Sequence, residues 1–251
     1  MTESKIVASF DIGVKNLSFC VMQKIGDKFK IYDWHDINLI QTSEIEVKKC
    51  EGTVKKTGLT CGKKAKVETK EKKFYCMVHN PDKTKYKPKK KKKATKIPRI
   101  DLCKNLVTCL NKFPILLDGV DTVIIEQQFN CNPTMITLSN MLYSYFVING
   151  IMVNEKRVSH IKFESSRNKY NMFRNAPKYE CKLKDPKSRR KYLAIKVCEY
   201  YLQNVEDSEK WLKFHTEFPK KRDDLSDTFL QGANYINNLK QPSKRKRKTK
   251  K

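Results

Sequence analysis

Four carboxylates stand where a packed core would not place them. Asp11 lies at the end of the apolar run Ile6–Ile12, and Glu126 directly follows Thr122-Val123-Ile124-Ile125. Asp224 and Asp227 are three apart at the expected start of a helix, so they share one face. Each has an ordinary reading: Asp11 opens a turn, Asp224 caps a helix. Glu126 is harder to place that way, because an ionised carboxylate after four apolar strand residues is costly unless paired or metal-bound. Gathered in one site, the four would repel one another unless divalent cations neutralised them. Oxygen-only ligands select Mg2+ or Mn2+, and two such ions in a basic protein serve phosphodiester hydrolysis. Asp223 adjoins the pair as a spare carboxylate.

A second constellation is built of thiols. Cys50, Cys61, Cys76 and His79 follow the spacing C-x10-C-x14-C-x2-H. The C-x2-H pair puts two ligands on one tight turn, which suits tetrahedral Zn2+. Gly52, Gly58 and Gly62 supply turns around it. A segment this rich in lysine cannot fold on apolar burial, so a structural zinc ion would supply its stability; the alternative is a disordered basic loop with incidental cysteines. The chain has nine cysteines, an odd number that favours thiols and metal ligands over a disulfide framework. The remaining cysteines lie mostly in apolar surroundings and read as buried thiols; His35, His160 and His215 are isolated and read as satisfied or surface histidines.

The elements that must position these groups follow from periodicity. Ile6–Ile12, Leu17–Met22 and Phe29–Trp34 read as strands, the first two joined at Val14-Lys15-Asn16. Ile100, Leu102, Cys103, Leu106, Val107 and Leu110 recur at helical spacing. Thr122–Glu126 is a short buried-type strand. Asn132-Pro133 starts a helix, Asn as cap and Pro at the first helical position. That helix runs to Ile148, apolar almost all round, and so is expected to be buried. Ile151–Val158 reads as another strand, Ser188–Tyr201 as a helix, and a last helix begins near Asp224 and runs to about Asn237. Three strands, an insertion, then helix, strand, helix, strand, helix, helix make an α/β layer fold with a mixed sheet. The expected organisation is a body of residues 1–47 and 97–239, a basic insertion at 48–96, and a basic, disordered tail at 240–251.

Charge narrows the partner. The 251 residues carry 54 Lys+Arg against 27 Asp+Glu, a net charge of +27. Residues 48–99 account for +16 and the tail from Lys240 for +8, so two short segments make the protein basic. Within the body, Lys156–Lys196 holds 14 basic and 3 acidic residues. A polyanion is therefore the expected partner, nucleic acid before an anionic membrane surface. The lysine run Lys89, Lys90, Lys91, Lys92 and Lys93 would bind phosphate without reading sequence, as would the tail, which also resembles a nuclear-localisation signal. On composition alone no apolar run is expected to span a membrane, and the opening MTESKIVASFDIG lacks the pattern of a signal peptide. An intracellular protein is expected, in the nucleus or at a cytoplasmic site of viral replication.

Three blocks carry a family resemblance: SFDIGVKN (Ser9–Asn16), IIEQQFNCNP (Ile124–Pro133) and KRDDLSDTF (Lys221–Phe229). Together they resemble the motif blocks of RuvC-like Holliday junction resolvases, above all those of poxviruses and other large DNA viruses, with a fungal mitochondrial branch more distant. The resemblance implies an RNase H-like fold and a Mg2+-dependent endonuclease acting as a homodimer on branched DNA. It implies Asp11, Glu126, Asp224 and Asp227 as ligands of two Mg2+ ions. It also matches Phe129 to an aromatic that contacts bases near the junction, where a core aromatic is the alternative, and Lys15 to the turn after the first aspartate, where it would touch the scissile phosphate or stay solvated. The insertion and the tail lie outside the resemblance. Two other readings remain open: an RNase H-like nuclease acting on flaps or hybrids, and a non-catalytic zinc-containing DNA-binding protein. The strand-end D-x-G of the actin/hexokinase ATPases is set aside, because the chain has only 8 glycines and no glycine-rich phosphate loops.

Overall fold

The computed structural model describes residues 5–40, 48–87, 97–128, 132–153, 158–218 and 220–239. Phe129, Lys89 to Lys93 and the tail lie outside the described residues. The chain divides into two compact units, one formed by Met1–Ile40 with Pro98–Lys251, the other by Gln41–Ile97.

The larger unit is built on a five-stranded mixed sheet. Strands β1 (Val7–Ile12), β2 (Asn16–Ile25) and β3 (Lys28–Asn38) form an antiparallel meander, and β6 (Thr122–Glu126) and β7 (His160–Glu164) add in parallel on the other side of β1. The spatial order is β3-β2-β1-β6-β7. Parallel neighbours need crossovers, and helices supply them: α1 (Arg99–Leu110) and α2 (Ile115–Asp118) precede β6, and α3 (Pro133–Tyr145) links β6 to β7. Three more helices follow a 310 segment at Asn168–Asn175, namely α4 (Pro186–Leu202), α5 (Ser208–Glu217) and α6 (Arg222–Asn238).

The strand period of two divides the core into two layers. Phe10 and Phe19 face the α1/α3 side, where they meet Phe146 and Phe113. Val7, Cys20, Met22 and Ile124 face the other side and pack with α4, α5 and α6 through residues such as Val197, Trp211 and Phe229. Asp11 and Glu126 continue that second set, so alternation alone aims both carboxylates at α6.

Several sequence expectations need correction. Of the expected strand Ile151–Val158, Ile151–Val153 belong to a helix, since after Tyr145 the helix continues as a π-helical stretch, Phe146–Val153; residues 154–157 lie outside the described residues, and the strand begins at His160. The start of the apolar run that suggests a strand is the continuing apolar face of a helix, against which Val158 packs closely at Gly150, where a Cβ would lie 2.6 Å from its Cγ2. This helix is also less buried than its composition implies. Leu138, Leu142, Tyr145 and Phe146 are packed, but Ile148, Met152 and Val153 are exposed. Spanning 21 residues, Pro133–Val153 is long and apolar enough to cross a membrane by length and composition, contrary to the composition-based expectation. α5 has no counterpart in the sequence reading, since its apolar positions are separated by lysines.

The smaller unit has little regular structure. β4 (Val67–Glu68) and β5 (Phe74–Tyr75) form a two-stranded sheet, and isolated bridges Lys49↔Lys64 and Thr53↔Thr60 shape a second hairpin-like loop.

α6 lies close on the sheet because Gly232 has no side chain: a Cβ there would sit 3.0 Å from Met22 Sδ and 3.3 Å from Ser9 Cβ. Gly232→Val should therefore lift α6 and destabilise the fold by about 1–3 kcal/mol. At roughly 2–4 °C per kcal/mol for a chain of this size, thermal denaturation would read the loss; an unchanged midpoint would refute this packing.

Candidate active site

The site forms where β1, β6 and α6 converge. The parallel register runs through Phe10↔Ile125 and places Asp11 beside Glu126 at the next position. α6 starts at Arg222, so Asp223 and Asp224 occupy its first turn and Asp227 the second. Carboxylates there interact favourably with the positive end of the helix dipole, whereas the expected role of Asp224 as cap is not taken: the residue before the helix is Lys221, in a left-handed conformation with φ 67°. Lys221 Nζ donates to Asp224 Oδ2 at 2.7 Å. The first turns of α6 are pinned to the sheet by Trp34, whose Nε1 lies 3.2 Å from both Leu225 O and Thr228 Oγ1. His215 closes this joint, stacked on Trp34 and bonded through Nε2 to Ser226 Oγ at 2.8 Å. Burial pushes its pKa down to about 4, so it sits there neutral.

At the centre stands a residue that sequence reasoning missed. Lys169, from the 310 segment, is 5% exposed. Its Nζ lies 2.6 Å from Asp227 Oδ2 and 3.2 Å from Glu126 Oε2. It is one of fourteen cations between Lys156 and Lys196, and nothing local distinguishes it. The preceding Asn168 donates to Glu164 Oε1, which anchors the segment to β7. Glu164 pairs in register with Glu126 and ends its strand in the same way. That strand-end glutamate was a legible signal, hidden because the strand was expected earlier in the chain.

The electrostatics follow from burial. Burial, then the charge of Glu126, holds the Asp11 carboxyl well above the ordinary carboxylate range, against the pull of Lys169. Burial raises Glu126, Asp224 and Asp227 as well, with Lys169 opposing at Glu126 and Asp227 and Lys221 at Asp224. Burial alone would lower the Lys169 pKa, but Asp227, Glu126 and Asp11 outweigh it and raise it. Asp223 differs. Burial pushes its carboxyl up, yet the hydrogen bond and charge of Lys191 prevail and hold it low.

These oxygen donors suit a hard divalent cation, and the Lys169 ammonium already stands between two of them as a cationic stand-in. Lys15 is exposed on the β1–β2 turn, at the same end of the sheet as Asp11. Its carbonyl accepts from Leu39 N, which fixes the turn but brings the side chain to none of the carboxylates.

The second constellation closes within the smaller unit. The ligand atoms of Cys50, Cys61, Cys76 and His79 all lie within 4.8 Å of one another, and no carboxylate group is that tight among the described residues. His79 Nδ1 is 3.5 Å from Cys50 Sγ and 3.7 Å from Cys76 Sγ. Tetrahedral bonds of about 2.3 Å to sulfur and 2.0–2.1 Å to nitrogen require an S···N edge of about 3.5 Å, so the group fits zinc. The backbone N–H of His79 favours the Cys76 thiolate and lowers its pKa. Gly52 is a steric requirement here: a Cβ on it would lie 2.5 Å from His79 Cβ.

No family model matches the chain. An uncharacterized protein of Acanthamoeba polyphaga mimivirus is 25% identical over 308 residues, covering 92% of this chain and 74% of that protein. Among solved structures, the yeast mitochondrial Holliday junction resolvase Ydc2 aligns with a TM-score of 0.50 at 16% identity, over 92% of this chain and 78% of that one. The fowlpox virus Holliday junction resolvase aligns at 0.43 and 15% identity, over 93% and 99%. The fold is thus the RNase H-like fold, a mixed five-stranded sheet flanked by helices.

Because the folded state holds these carboxyl protons more tightly than the unfolded chain, the stability they contribute is present in acid and lost as pH rises through the raised values. Asp11→Asn removes one such buried charge and should raise the melting midpoint above wild type at neutral pH without divalent ions. Lys169→Met should do the opposite, by roughly 3–5 kcal/mol, as expected when a buried ion pair is deprived of one partner. Thermal melts in chelator test both; a stabilised Lys169→Met would mean that the lysine does not neutralise the cluster.

Proposed function

We propose that this protein is a metal-dependent, structure-selective DNA endonuclease that resolves four-way (Holliday) junctions by paired hydrolysis of phosphodiester bonds. The observation that carries the reading is the convergence of Asp11, Glu126 and Asp227 on one sheet end around the buried Lys169, with Asp224 one helical turn before Asp227, in the fold of a mitochondrial junction resolvase. The four carboxylates would hold two Mg2+ ions, or Mn2+. Such ions, when bound, supply a water ionised at neutral pH and a counter-charge at the leaving oxygen. The protein's own groups do the rest. Raised carboxyl pKa values leave the site poised to exchange protons for metal. Lys169, released from Glu126 and Asp227, carries a permanent positive charge for the phosphate oxygens. Lys221 keeps Asp224 oriented.

A four-way junction needs two coordinated cuts, which a two-fold symmetric dimer provides. The exposed apolar side chains Ile148, Met152 and Val153 at the end of the α3 helix are the surface we assign to that homodimer. Lys15, Phe129 and the lysine run from Lys89 to Lys93 are assigned to DNA contact. Cys50, Cys61, Cys76 and His79 are assigned to a structural zinc ion. The site of action is intracellular DNA, nuclear or at a viral replication site.

Asp11→Asn, Glu126→Gln, Asp224→Asn and Asp227→Asn should each abolish nicking of a synthetic four-way junction in Mg2+ while leaving junction binding largely intact. Asp223→Asn should be milder, since Lys191 already engages that carboxylate. A variant of the four that cuts near the wild-type rate is not a metal ligand, and preferential cutting of flap or RNA–DNA hybrid would move the substrate class. For the smaller unit, protein purified without chelator should contain zinc, and Cys76→Ser, His79→Ala and Gly52→Ala should each lose it. Metal analysis that finds none in wild type would remove zinc from the proposal.

A further inference from the structure

The buried stripe of α4 is made by Ala194, Val197 and Cys198. Followed toward the N-terminus at helical spacing, the same face continues as Lys187, Arg190 and Lys191, all exposed. α4 packs beside α6, so its first turns extend this face past the core and into the vicinity of the α6 N-terminus. Lys191 reaches Asp223, the immediate neighbour of Asp224. The overhang therefore leads to the rim of the carboxylate site.

These cations are not required to cap the helix. Its N-cap is Asp185, whose side chain accepts from Ser188 N at 2.7 Å. The first turn holds no acidic residue, and cations at a helix N-terminus oppose the macrodipole. Among the described residues, Lys187 and Arg190 form no salt bridge; the charge of Lys187 helps to hold the Asp185 carboxyl low, and Arg190 Nε donates to Pro186 O at 3.4 Å. Upstream, Lys178, Lys182 and Lys184 are exposed on a segment held to the core by Ala176 and Tyr179. Among the described residues, Lys187, Arg190, Lys178, Lys182 and Lys184 are thus in no salt bridge, yet the track is anchored, which distinguishes it from a solvated charge run.

We infer that Lys187 and Arg190 form a phosphate clamp for duplex DNA beside the scissile position, with Lys178, Lys182 and Lys184 continuing the track along one arm. The inference rests on the nuclease reading and names the surface that delivers its substrate. Lys187 and Lys191 are one helical turn apart, a rise of about 6 Å. Successive phosphates on one DNA strand are separated by the ~3.4 Å axial advance together with the helical rotation, so a turn of α4 is of the order of one phosphate step. Binding would let Lys191 exchange Asp223 for phosphate.

The test uses full-length protein, with affinity for a four-way junction and for linear duplex measured by fluorescence anisotropy in chelator across a range of salt. Lys187→Gln/Arg190→Gln should flatten the slope of log affinity against log salt by roughly 0.9 for each phosphate no longer neutralised. Lys5→Gln/Lys28→Gln removes the same charge from the opposite end of the sheet, where both lysines are exposed, and should leave the slope unchanged. The clamp variant should melt close to wild type, because relief of the unfavourable dipole interaction offsets the loss of the exposed Arg190–Pro186 bond and of the Lys187 charge near Asp185. Wild-type binding with an unaltered slope in the clamp variant overturns the clamp alone, as do equal shifts in both double variants. Wild-type protein that binds neither DNA overturns the nuclease reading with it.

Discussion

The ammonium of Lys169 among Asp11, Glu126 and Asp227 is the interaction on which the rest depends. Three strand and helix ends converge there, each carrying a carboxylate whose ionised form is disfavoured by burial. Without a cation such a junction of elements would be held apart by its own charge. With one, the repulsion becomes a tie between β6, the 310 segment and α6. On the proposed reading, divalent cations would take the place of the Lys169 ammonium between these carboxylates. Stability and the proposed chemistry would draw on the same charges and pull in opposite directions.

The scaffold around this centre is apolar and aromatic where the centre is polar. Trp34 is 1% exposed and uses its ring against His215 and Phe229 and its N–H on α6. A neutral His215 is what such a position requires, because burial and the nearby Arg222 charge disfavour a charged imidazole and outweigh the pull of Glu199. Gly232 then allows the middle of α6 to touch the sheet. These packing interactions fix the height and azimuth of the helix, and with them the place of Asp224 and Asp227. The smaller unit follows another logic. It has few buried apolar side chains, Cys50 and Val67 among them, so convergent ligands rather than a core define its fold.

Much of this was legible along the chain because it is governed by local periodicity. Alternation at Val7–Ile12 and Thr122–Glu126 fixes which face Asp11 and Glu126 occupy, and the i, i+3 spacing aligns Asp224 with Asp227. The spacing of Cys50, Cys61, Cys76 and His79 on glycine-punctuated turns identifies a ligand set. Each of these depends on neighbours in sequence, so residue type and spacing suffice. The tertiary structure alone decided what meets these groups. Lys169 looks like any of the fourteen cations of its stretch, and only the packing of the 310 segment against β7 and α6 selects it. Ile151–Val158 has strand-like residues, yet the helix runs on through Val153, and Val158 packs back against it at Gly150. The overhang of α4 exists only because a core edge cuts across a continuous helical face, leaving Ala194 inside and Arg190 outside. Long-range packing sets the partner of each charge, because Coulomb interaction acts through space and burial and carries no trace in the order of residues.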